Sequence, residues 1–332
     1  MRRRTSVAGD ARAGRLAEAG GFWLSSTGMG RIQRVSGGEV RLLAQRCILG
    51  RSRACTLRLR EPDVSGEHAL LRWTGDAWEV QDLHSRNGTF VDRRRLAPGE
   101  RGVLQVGAVL GFGQPETFVL VDESAPAVFA VPLDDRAPLE AEGGILALPG
   151  PTVPALMVFR GAGGWLLERH GEVSAVADGE VVRVGGDAWQ LHLPELLPRT
   201  AESTGAAPHV DDIGLQFAVS RDEEYVELVV MHGARTIDLK ARSHHYTLLL
   251  LARARLRDGG AAPELQGWVH QSELLDLLRC DVSLLHLNIY RLRQQFGEAG
   301  IVGAARVVER RAGTRQLRIG VSQLDIRTIE GR

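Results

Sequence analysis

RCILGRSRACTLRLREPDVSGEHALLRWTGDAWEVQDLHSRNGTFV (residues 46–91) alternates short apolar runs with three polar clusters. The clusters are Gly50-Arg51, Ser65-Gly-Glu-His68 and Ser85-Arg-Asn-Gly-Thr89. The intervening runs have the length and composition of β-strands, and similar runs extend from residue 22 to residue 122. This spacing predicts an antiparallel sandwich with the clusters in its loops. Because a rigid scaffold presents binding groups on loops, the clusters form the first candidate site.

The order and spacing of the clusters resemble the forkhead-associated (FHA) family, in which Gly-Arg, Ser-x-x-His and Asn-Gly recur along one sandwich. The resemblance implies an all-β FHA sandwich over residues 22–123. It also implies that Arg51 and Ser65 contact the phosphate of a phosphothreonine peptide. Asn87 would hold the peptide backbone, and Arg86 would face the residues after the phosphothreonine. Three further residues would shape the site without touching the ligand, namely Gly50, His68 and Gly88.

The residue types agree with phosphate chemistry. A phosphate carrying nearly two negative charges suits a guanidinium fork and a hydroxyl donor, because charge-assisted hydrogen bonds are the stronger ones. One departure from the family is Gly66, which stands where an arginine or asparagine usually helps to grip the ligand. We expect the neighbouring Arg53 to take over that contact.

The middle of the chain predicts a second β-rich region. The regular alternation of strands and turns ends at the stretch ESAPAVFAVPLDDRAPLEAEGG, and further short predicted strands follow up to residue 194. Trp165-Leu-Leu-Glu echoes Trp78-Glu-Val-Gln, so a second sandwich is one interpretation, and an unrelated β module or packing extension is the other. We assign residues 124–200 to a linker and a small β-rich module of unknown role.

Residues 213–322 change character, since three predicted strands precede three helical segments and a hairpin around Ala312-Gly-Thr314. This is the order of an α+β winged helix with an added sheet. LNIYRLRQQF (residues 287–296) resembles the recognition helix of OmpR- and PhoB-type winged helices. Helical spacing predicts one buried stripe, made of Leu285, Ile289, Leu292 and Phe296.

The winged-helix resemblance implies contact with double-stranded DNA, with the helix in the major groove and the hairpin as the wing. The expected contacts are His286, Tyr290, Arg291, Arg293, Gln294, Arg310, Arg311 and Arg315. Three departures from the family are visible. The Gly-x-Gly-Tyr end of the wing is absent, His286 replaces a common acidic residue, and Gln295 replaces a final lysine.

Composition sets the outer limits. A chain of 332 residues exceeds one hydrophobic core, so a multidomain fold is expected. The formal net charge is zero and only local basic blocks point to an anionic partner. Three cysteines without ligand spacing predict neither disulfides nor a metal site. No apolar run of membrane-spanning length occurs, so we expect a cytoplasmic protein without membrane contact. The remaining boundaries are a flexible amino terminus (1–21), a linker (201–212) and a tail (323–332).

No nucleotide loop, catalytic triad or cofactor motif is present, and we expect a protein that is not an enzyme and needs no cofactor. The leading hypothesis is a transcription regulator that couples a Ser/Thr kinase, or a substrate of one, to DNA binding. Phosphopeptide binding would tether it or release a masked winged helix, and self-recognition through Thr5, Thr200 or Thr204 is a further hypothesis. One alternative is an FHA adaptor whose winged helix contacts proteins, and another is an enzyme with unrecognised chemistry in the middle module.

Overall fold

The computed structural model describes residues 28–134, 136–161, 163–195 and 207–329. The expected flexible amino terminus and the three threonines named above lie outside these ranges. Within them, no helix is both long enough and apolar enough to cross a membrane.

The first unit is a sandwich of a six-stranded and a five-stranded sheet, ordered β2-β1-β11-β10-β7-β8 and β4-β3-β5-β6-β9. Period-two alternation builds it: in β6, Trp78, Val80 and Asp82 point inward while their neighbours are partly exposed. The strands are β1 (Arg31–Arg34), β2 (Val40–Leu42), β3 (Arg46–Gly50), β4 (Leu57–Arg58), β5 (Ala69–Trp73), β6 (Trp78–Asp82), β7 (Thr89–Val91), β8 (Arg94–Arg95), β9 (Arg101–Leu104), β10 (Val109–Phe112) and β11 (Phe118–Asp122).

The middle unit is also a sandwich, so of the two interpretations of this region the structure supports the first. Its two four-stranded sheets have the orders β13-β12-β19-β18 and β14-β15-β16-β17, and one apolar core lies between them. The strands are β12 (Phe129–Pro132), β13 (Leu139–Glu140), β14 (Leu146–Leu148), β15 (Leu156–Gly161), β16 (Gly164–Arg169), β17 (Glu172–Ala175), β18 (Val181–Val184) and β19 (Asp187–His192).

The two sandwiches share a strand order. In one sheet β13-β12-β19-β18 matches β2-β1-β11-β10, and in the other β14-β15-β16-β17 matches β3-β5-β6-β9. The tryptophan echo is also structural. The Trp78 indole donates to the Ser124 carbonyl at 3.0 Å, and the Trp165 indole donates to the Pro194 carbonyl at 3.1 Å. Each acceptor lies just beyond the last strand of its own sandwich, so the middle unit repeats the first with β4, β7 and β8 missing.

The carboxy-terminal unit combines a four-stranded sheet, three helices and a three-stranded sheet, with sheet orders β22-β21-β20-β26 and β23-β25-β24. Its elements are β20 (Gly214–Ser220), β21 (Val226–His232), β22 (Arg235–Ala241), α1 (His245–Arg257), β23 (Val269–His270), α2 (Gln271–Leu278), α3 (Val282–Glu298), a 3-10 helix (Ala304–Val307), β24 (Val308–Arg311), β25 (Gln316–Ile319) and β26 (Gln323–Ile329).

Helix α3 follows from its sequence. The Asp281 side chain accepts a hydrogen bond from the Leu284 N–H at 2.8 Å and caps the helix. The predicted buried stripe is confirmed, because each of its four members has no exposed surface: Leu285, Ile289, Leu292 and Phe296.

Two boundaries need correction. The expected tail is wrong for residues 323–329, which form β26 and pair in parallel with β20. Leu324 and Ile326 of this strand pack on the core of the unit, which explains its order. The expected linker is wrong at its end, because the Val210 N–H donates to the Val302 carbonyl at 3.0 Å and Val210 is buried. Residues 201–206 lie outside the described ranges.

One sheet of the middle sandwich is buried on both faces. In β14 and β15, Leu148 and Val158 face the core of their own sandwich, whereas Ala147, Met157 and Phe159 face the core of the carboxy-terminal unit. The outer face of this sheet therefore packs against α3 and the 3-10 helix.

Candidate functional site

Three loops of the first sandwich meet at one end. Arg51 follows β3, Ser65 lies between β4 and β5, and Arg86 lies between β6 and β7. The Arg51 N–H donates to the Ser65 carbonyl at 2.9 Å, and the Arg86 N–H donates to Ser65 Oγ at 3.0 Å. The Asn87 side-chain N–H donates to the Asp63 carbonyl at 2.8 Å. The structure thus brings together the three loops that carry the five residues predicted to bind the phosphopeptide, which are Arg51, Arg53, Ser65, Arg86 and Asn87.

The guanidinium groups at this site are free to bind. Arg51, Arg53 and Arg86 are exposed, and none of their guanidiniums has a hydrogen-bond or ion-pair partner among the residues that the structure describes. Gly66 is exposed, and a Cβ built on it would meet nothing within 4 Å. The position at which this chain departs from the family pattern therefore opens onto empty space beside the cluster.

His68 links two of the loops from beneath. It has no exposed surface, its Nδ1 accepts the Ser65 N–H at 3.0 Å, and its Nε2 lies 3.1 Å from the Gly88 carbonyl. Because Nδ1 accepts, the proton belongs on Nε2, which donates to Gly88. Burial lowers the pKa of His68, although the Gly88 bond and the charge of Asp82 act in the opposite direction. His68 therefore braces the site as a neutral imidazole.

Gly50 and Gly88 are required by geometry. A Cβ on Gly50 would lie 2.2 Å from the Gly66 carbonyl oxygen, so the first two loops approach only because a glycine stands there. Gly88 has φ +92°, a left-handed conformation that side chains disfavour, and its Cβ would lie 2.3 Å from Arg95 Nε.

Asp82 belongs to this framework and was missed in the sequence. It is 2% exposed, and it accepts hydrogen bonds from the Ser85 N–H at 3.1 Å and from Thr89 Oγ1 at 2.7 Å. Burial alone would raise the pKa of Asp82, but the hydrogen bonds from Ser85 and Thr89 outweigh it and the pKa lies below its usual value. A charged residue at an inward position of an alternating strand was the available signal.

The eight predicted DNA contacts do not form one exposed surface. Arg291, Arg311 and Arg315 are exposed and Gln294 is partly exposed. The prediction that the other four are available to DNA is wrong, because the β14–β17 sheet of the middle sandwich covers them. The covered residues are His286 (7% exposed), Tyr290 (2%), Arg293 (2%) and the side chain of Arg310 (3%).

Two glutamates of the middle sandwich bind three of the covered residues and Gln294. Glu168 is 2% exposed and forms ion pairs with Arg293 at 2.8 Å and Arg310 at 2.7 Å. Glu142 accepts hydrogen bonds from the Tyr290 hydroxyl at 3.0 Å and the Gln294 amide at 2.8 Å. Burial would raise the pKa of Glu168, but the two arginines dominate and hold that pKa below its usual value. Glu168 is therefore an ionised carboxylate between two cations.

The covering residues extend beyond the glutamates. The Arg293 guanidinium stacks over the Phe159 ring at 4.5 Å, and it donates to the carbonyls of Ala305 at 2.8 Å and Val308 at 3.0 Å. Arg293 thus acts as an internal bridge between α3, the 3-10 helix and the middle sandwich. In the described ranges no group of three or more His, Cys, Asp or Glu side chains is arranged to hold a metal ion.

The model of the FHA domain family matches residues 47–113. The FHA domain-containing protein FhaB of Mycobacterium tuberculosis is 36% identical over 67 residues, which cover 20% of this chain and 43% of FhaB. FhaB of Mycolicibacterium smegmatis is 32% identical over 80 residues, which cover 24% of this chain and 50% of that protein. This chain thus spans half or less of the length of these curated relatives.

Solved structures also match part of the chain. A structure from an analysis of phosphothreonine-dependent FHA domain interactions has 30% identity and a TM-score of 0.25, and covers 28% of this chain and 94% of its own. Mycobacterium tuberculosis EmbR in complex with a low-affinity phosphopeptide has 21% identity and a TM-score of 0.28, and covers 30% of this chain and 27% of its own. On the match of the family model, residues 47–113, which carry Arg51, Ser65 and Asn87, form a forkhead-associated domain.

Proposed function

We propose that the FHA domain binds a phosphothreonine peptide and that the chain is a phosphothreonine-dependent signalling protein. The observation that carries this proposal is the convergence of Arg51, Ser65, Arg86 and Asn87 at one end of the sandwich. The curated relatives are FHA domain-containing proteins, and one similar structure comes from an analysis of phosphothreonine-dependent FHA interactions.

Each side chain has a role in the proposed complex. Ser65 Oγ already accepts the Arg86 N–H, so its own hydroxyl proton is available for a phosphate oxygen. The Arg51 guanidinium supplies the charge-assisted fork. Because the Asn87 N–H is directed to Asp63, its amide oxygen is left to accept an N–H of the peptide backbone. Arg86 would face the residues after the phosphothreonine, and Arg53 would supply the grip that Gly66 cannot.

We further propose that the carboxy-terminal unit contains a winged helix and that the chain is a transcription regulator that couples Ser/Thr kinase signalling to DNA. The order of three strands, three helices and the β24–β25 hairpin supports the winged helix. The exposed arginines of α3 and the hairpin, Arg291, Arg311 and Arg315, would meet DNA phosphates. In this proposal the protein is cytoplasmic, acts by binding and not by catalysis, and takes a phosphorylated kinase or kinase substrate as its partner.

An adaptor without DNA binding is the second candidate. One observation favours it: the face of α3 that carries Tyr290 and Arg293 already contacts another protein surface, the middle sandwich. Fluorescence anisotropy with duplex DNA of random sequence at low salt separates the candidates. Binding that weakens in Arg311→Ala supports the regulator, and no binding by either protein supports the adaptor.

The test of phosphothreonine binding is a phosphothreonine peptide library screened against the full chain. Arg51→Ala should weaken the binding of the selected peptides by about 2 kcal/mol, which is about 30-fold in affinity, because it removes a charge-assisted contact. Arg46→Ala is the matched control, since it removes an exposed arginine from the opposite end of β3. Equal losses in the two variants would contradict the assigned role of Arg51.

A further inference from the structure

The middle sandwich occupies the surface that the winged helix would use. Its glutamates take up four of the eight side chains expected to contact DNA, since Glu168 holds Arg293 and Arg310 and Glu142 holds Tyr290 and Gln294. These glutamates present carboxylate oxygens to guanidinium, hydroxyl and amide donors, the same donors that bind nucleic-acid phosphates and base edges.

We propose that the middle sandwich is an intramolecular clamp that masks the DNA-binding surface, with Glu168 and Glu142 in place of groups of the nucleic acid. This inference rests on the proposed DNA-binding function of the winged helix. Among the expected DNA contacts, the clamped chain exposes Arg291, Arg311 and Arg315, and opening the clamp adds the covered side chains.

The sandwich carrying the clamp has the topology of the FHA domain but not its phosphate-binding loops. The β14–β15 connection, residues 149–155, reads PGPTVPA and contains no arginine, serine or histidine. The β16–β17 connection is only His170 and Gly171, whereas residues 83–88 connect β6 and β7 in the FHA domain. The repeat therefore keeps the scaffold, lacks the phosphate site and presents the outer face of β14–β16 to α3.

The contact between the middle sandwich and the carboxy-terminal unit leaves buried polar groups without hydrogen-bond partners. Arg310 Nη2 and His286 Nε2 are buried and have no hydrogen-bond partner among the described residues. Glu168 is one carboxylate between two guanidiniums, so the buried cluster carries an excess positive charge. A buried polar group without a hydrogen-bond partner destabilises the state that contains it. Nucleic acid, which offers negative charge together with hydrogen-bond acceptors and donors, would satisfy the same groups, and this makes the clamp displaceable.

Two glycines lie where α3 meets the middle sandwich. A Cβ on Gly297 of α3 would lie 1.9 Å from the Gly143 carbonyl oxygen, and a Cβ on Gly143 would lie 2.4 Å from the Gln294 carbonyl oxygen. Gly297 lies within α3, where alanine is favoured over glycine. Gly297→Ala thus obstructs the clamp, leaves the charge unchanged and favours the helical conformation of α3.

The experiment compares four full-length proteins by fluorescence anisotropy with duplex DNA of random sequence and by small-angle scattering. Gly297→Ala obstructs the clamp sterically, and Glu168→Gln weakens it electrostatically. Gly150→Ala is the matched control, because a Cβ at that position would meet nothing within 4 Å. We expect both clamp variants to bind DNA at least tenfold more tightly than the wild type and the control, with a larger radius of gyration.

The other outcomes separate this inference from the proposed function. If the wild type and both clamp variants bind DNA equally, the clamp does not mask the surface, and DNA binding itself stands. If the clamp variants open by scattering but no protein binds DNA, the DNA-binding function fails and the inference fails with it. If neither the scattering nor the affinity changes in either variant, the contact is not a displaceable clamp.

Discussion

His68 shows how a buried side chain supports the FHA site without touching a ligand. Its imidazole holds the Ser65 N–H on one side and the Gly88 carbonyl on the other. Protonation of Nδ1 would remove the acceptor for Ser65, so the arrangement requires the neutral ring. Its edge-to-face contact with Phe112, with ring centroids 5.9 Å apart, fixes the ring plane.

The lowered pKa of His68 predicts a pH dependence of stability. As the pH falls below 6.5, the ordinary pKa of histidine, His68 of the unfolded chain binds a proton while His68 of the folded chain stays neutral. The contribution of His68 to the free energy of unfolding is therefore fully present above pH 6.5 and decreases as the pH falls. Chemical denaturation of the wild type and His68→Asn between neutral and mildly acidic pH measures this. The difference in their free energies of unfolding should shrink on acidification, and a constant difference would contradict the neutral-imidazole role.

Arg51 and Arg293 carry the same chemical group and have different environments. Arg51 is exposed without a partner in the described ranges, whereas Arg293 is 2% exposed and pairs with Glu168. Ser65, which is proposed to bind the same phosphate as Arg51, lies in the adjoining loop, so the local sequence indicates that site. The partner of Arg293 lies 125 residues earlier in the chain, so no local pattern could indicate it.

Among the elements, those with a regular pattern were predictable. The alternation in β6 and the apolar stripe of α3 specified both elements and their buried faces. Strand β15 was predicted as a strand but not as one buried on both faces. Its continuous apolar run, Leu156-Met-Val-Phe159, contained that information, because strands covered on both faces lose the polar alternation.

Helix α1 illustrates the opposite case. His244 and His245, two polar side chains at the start of this helix, are 8% and 0% exposed, and no apolar pattern in the sequence indicates their burial. Both imidazoles lie within hydrogen-bond distance of Gln295 Oε1, at 3.1 Å and 2.8 Å. The residue that replaces the lysine common in similar helices is thus an internal acceptor between α1 and α3.

Strand β26 gives a prediction at this scale. Removal of residues 323–332 should lower the free energy of unfolding of the carboxy-terminal unit by about 2–4 kcal/mol, because Leu324 and Ile326 lose partial burial. Thermal unfolding measures the loss. A chain shortened only by residues 330–332 is the control, since it keeps the parallel pairing of β26 with β20. Equal stability of the two shortened chains would contradict a structural role for β26.

At the scale of the whole molecule, the middle sandwich joins the other two units. Phe129 of β12 is 3% exposed and belongs to the core of the FHA sandwich, where its ring stacks on His192 at a centroid distance of 4.4 Å. The Arg31–Glu140 ion pair adds a polar contact at the same junction. The outer face of β14–β16 then joins the carboxy-terminal unit. The three units therefore share continuous buried surfaces.

This continuity predicts coupled unfolding. Phe129→Ala should lower the free energy of unfolding by about 3–5 kcal/mol, the usual loss for a buried phenylalanine, and should destabilise both sandwiches together. Denaturation followed by tryptophan fluorescence reports on both, since Trp78 lies in one core and Trp189 in the other. Val106→Ala, at a 58% exposed position, is the control. Two separate transitions, of which only one moves, would contradict the shared core.

The central claim is that Arg51 and Ser65 bind one phosphate together. The most direct test is the ratio of affinities of the full chain for one selected peptide with phosphothreonine and with threonine, measured by isothermal titration calorimetry. Two charge-assisted contacts together are worth about 3 kcal/mol or more, so we predict a ratio of about 100 or more in the wild type and a much smaller ratio in Arg51→Ala. Equal affinity of the wild type for the two peptides would contradict the account.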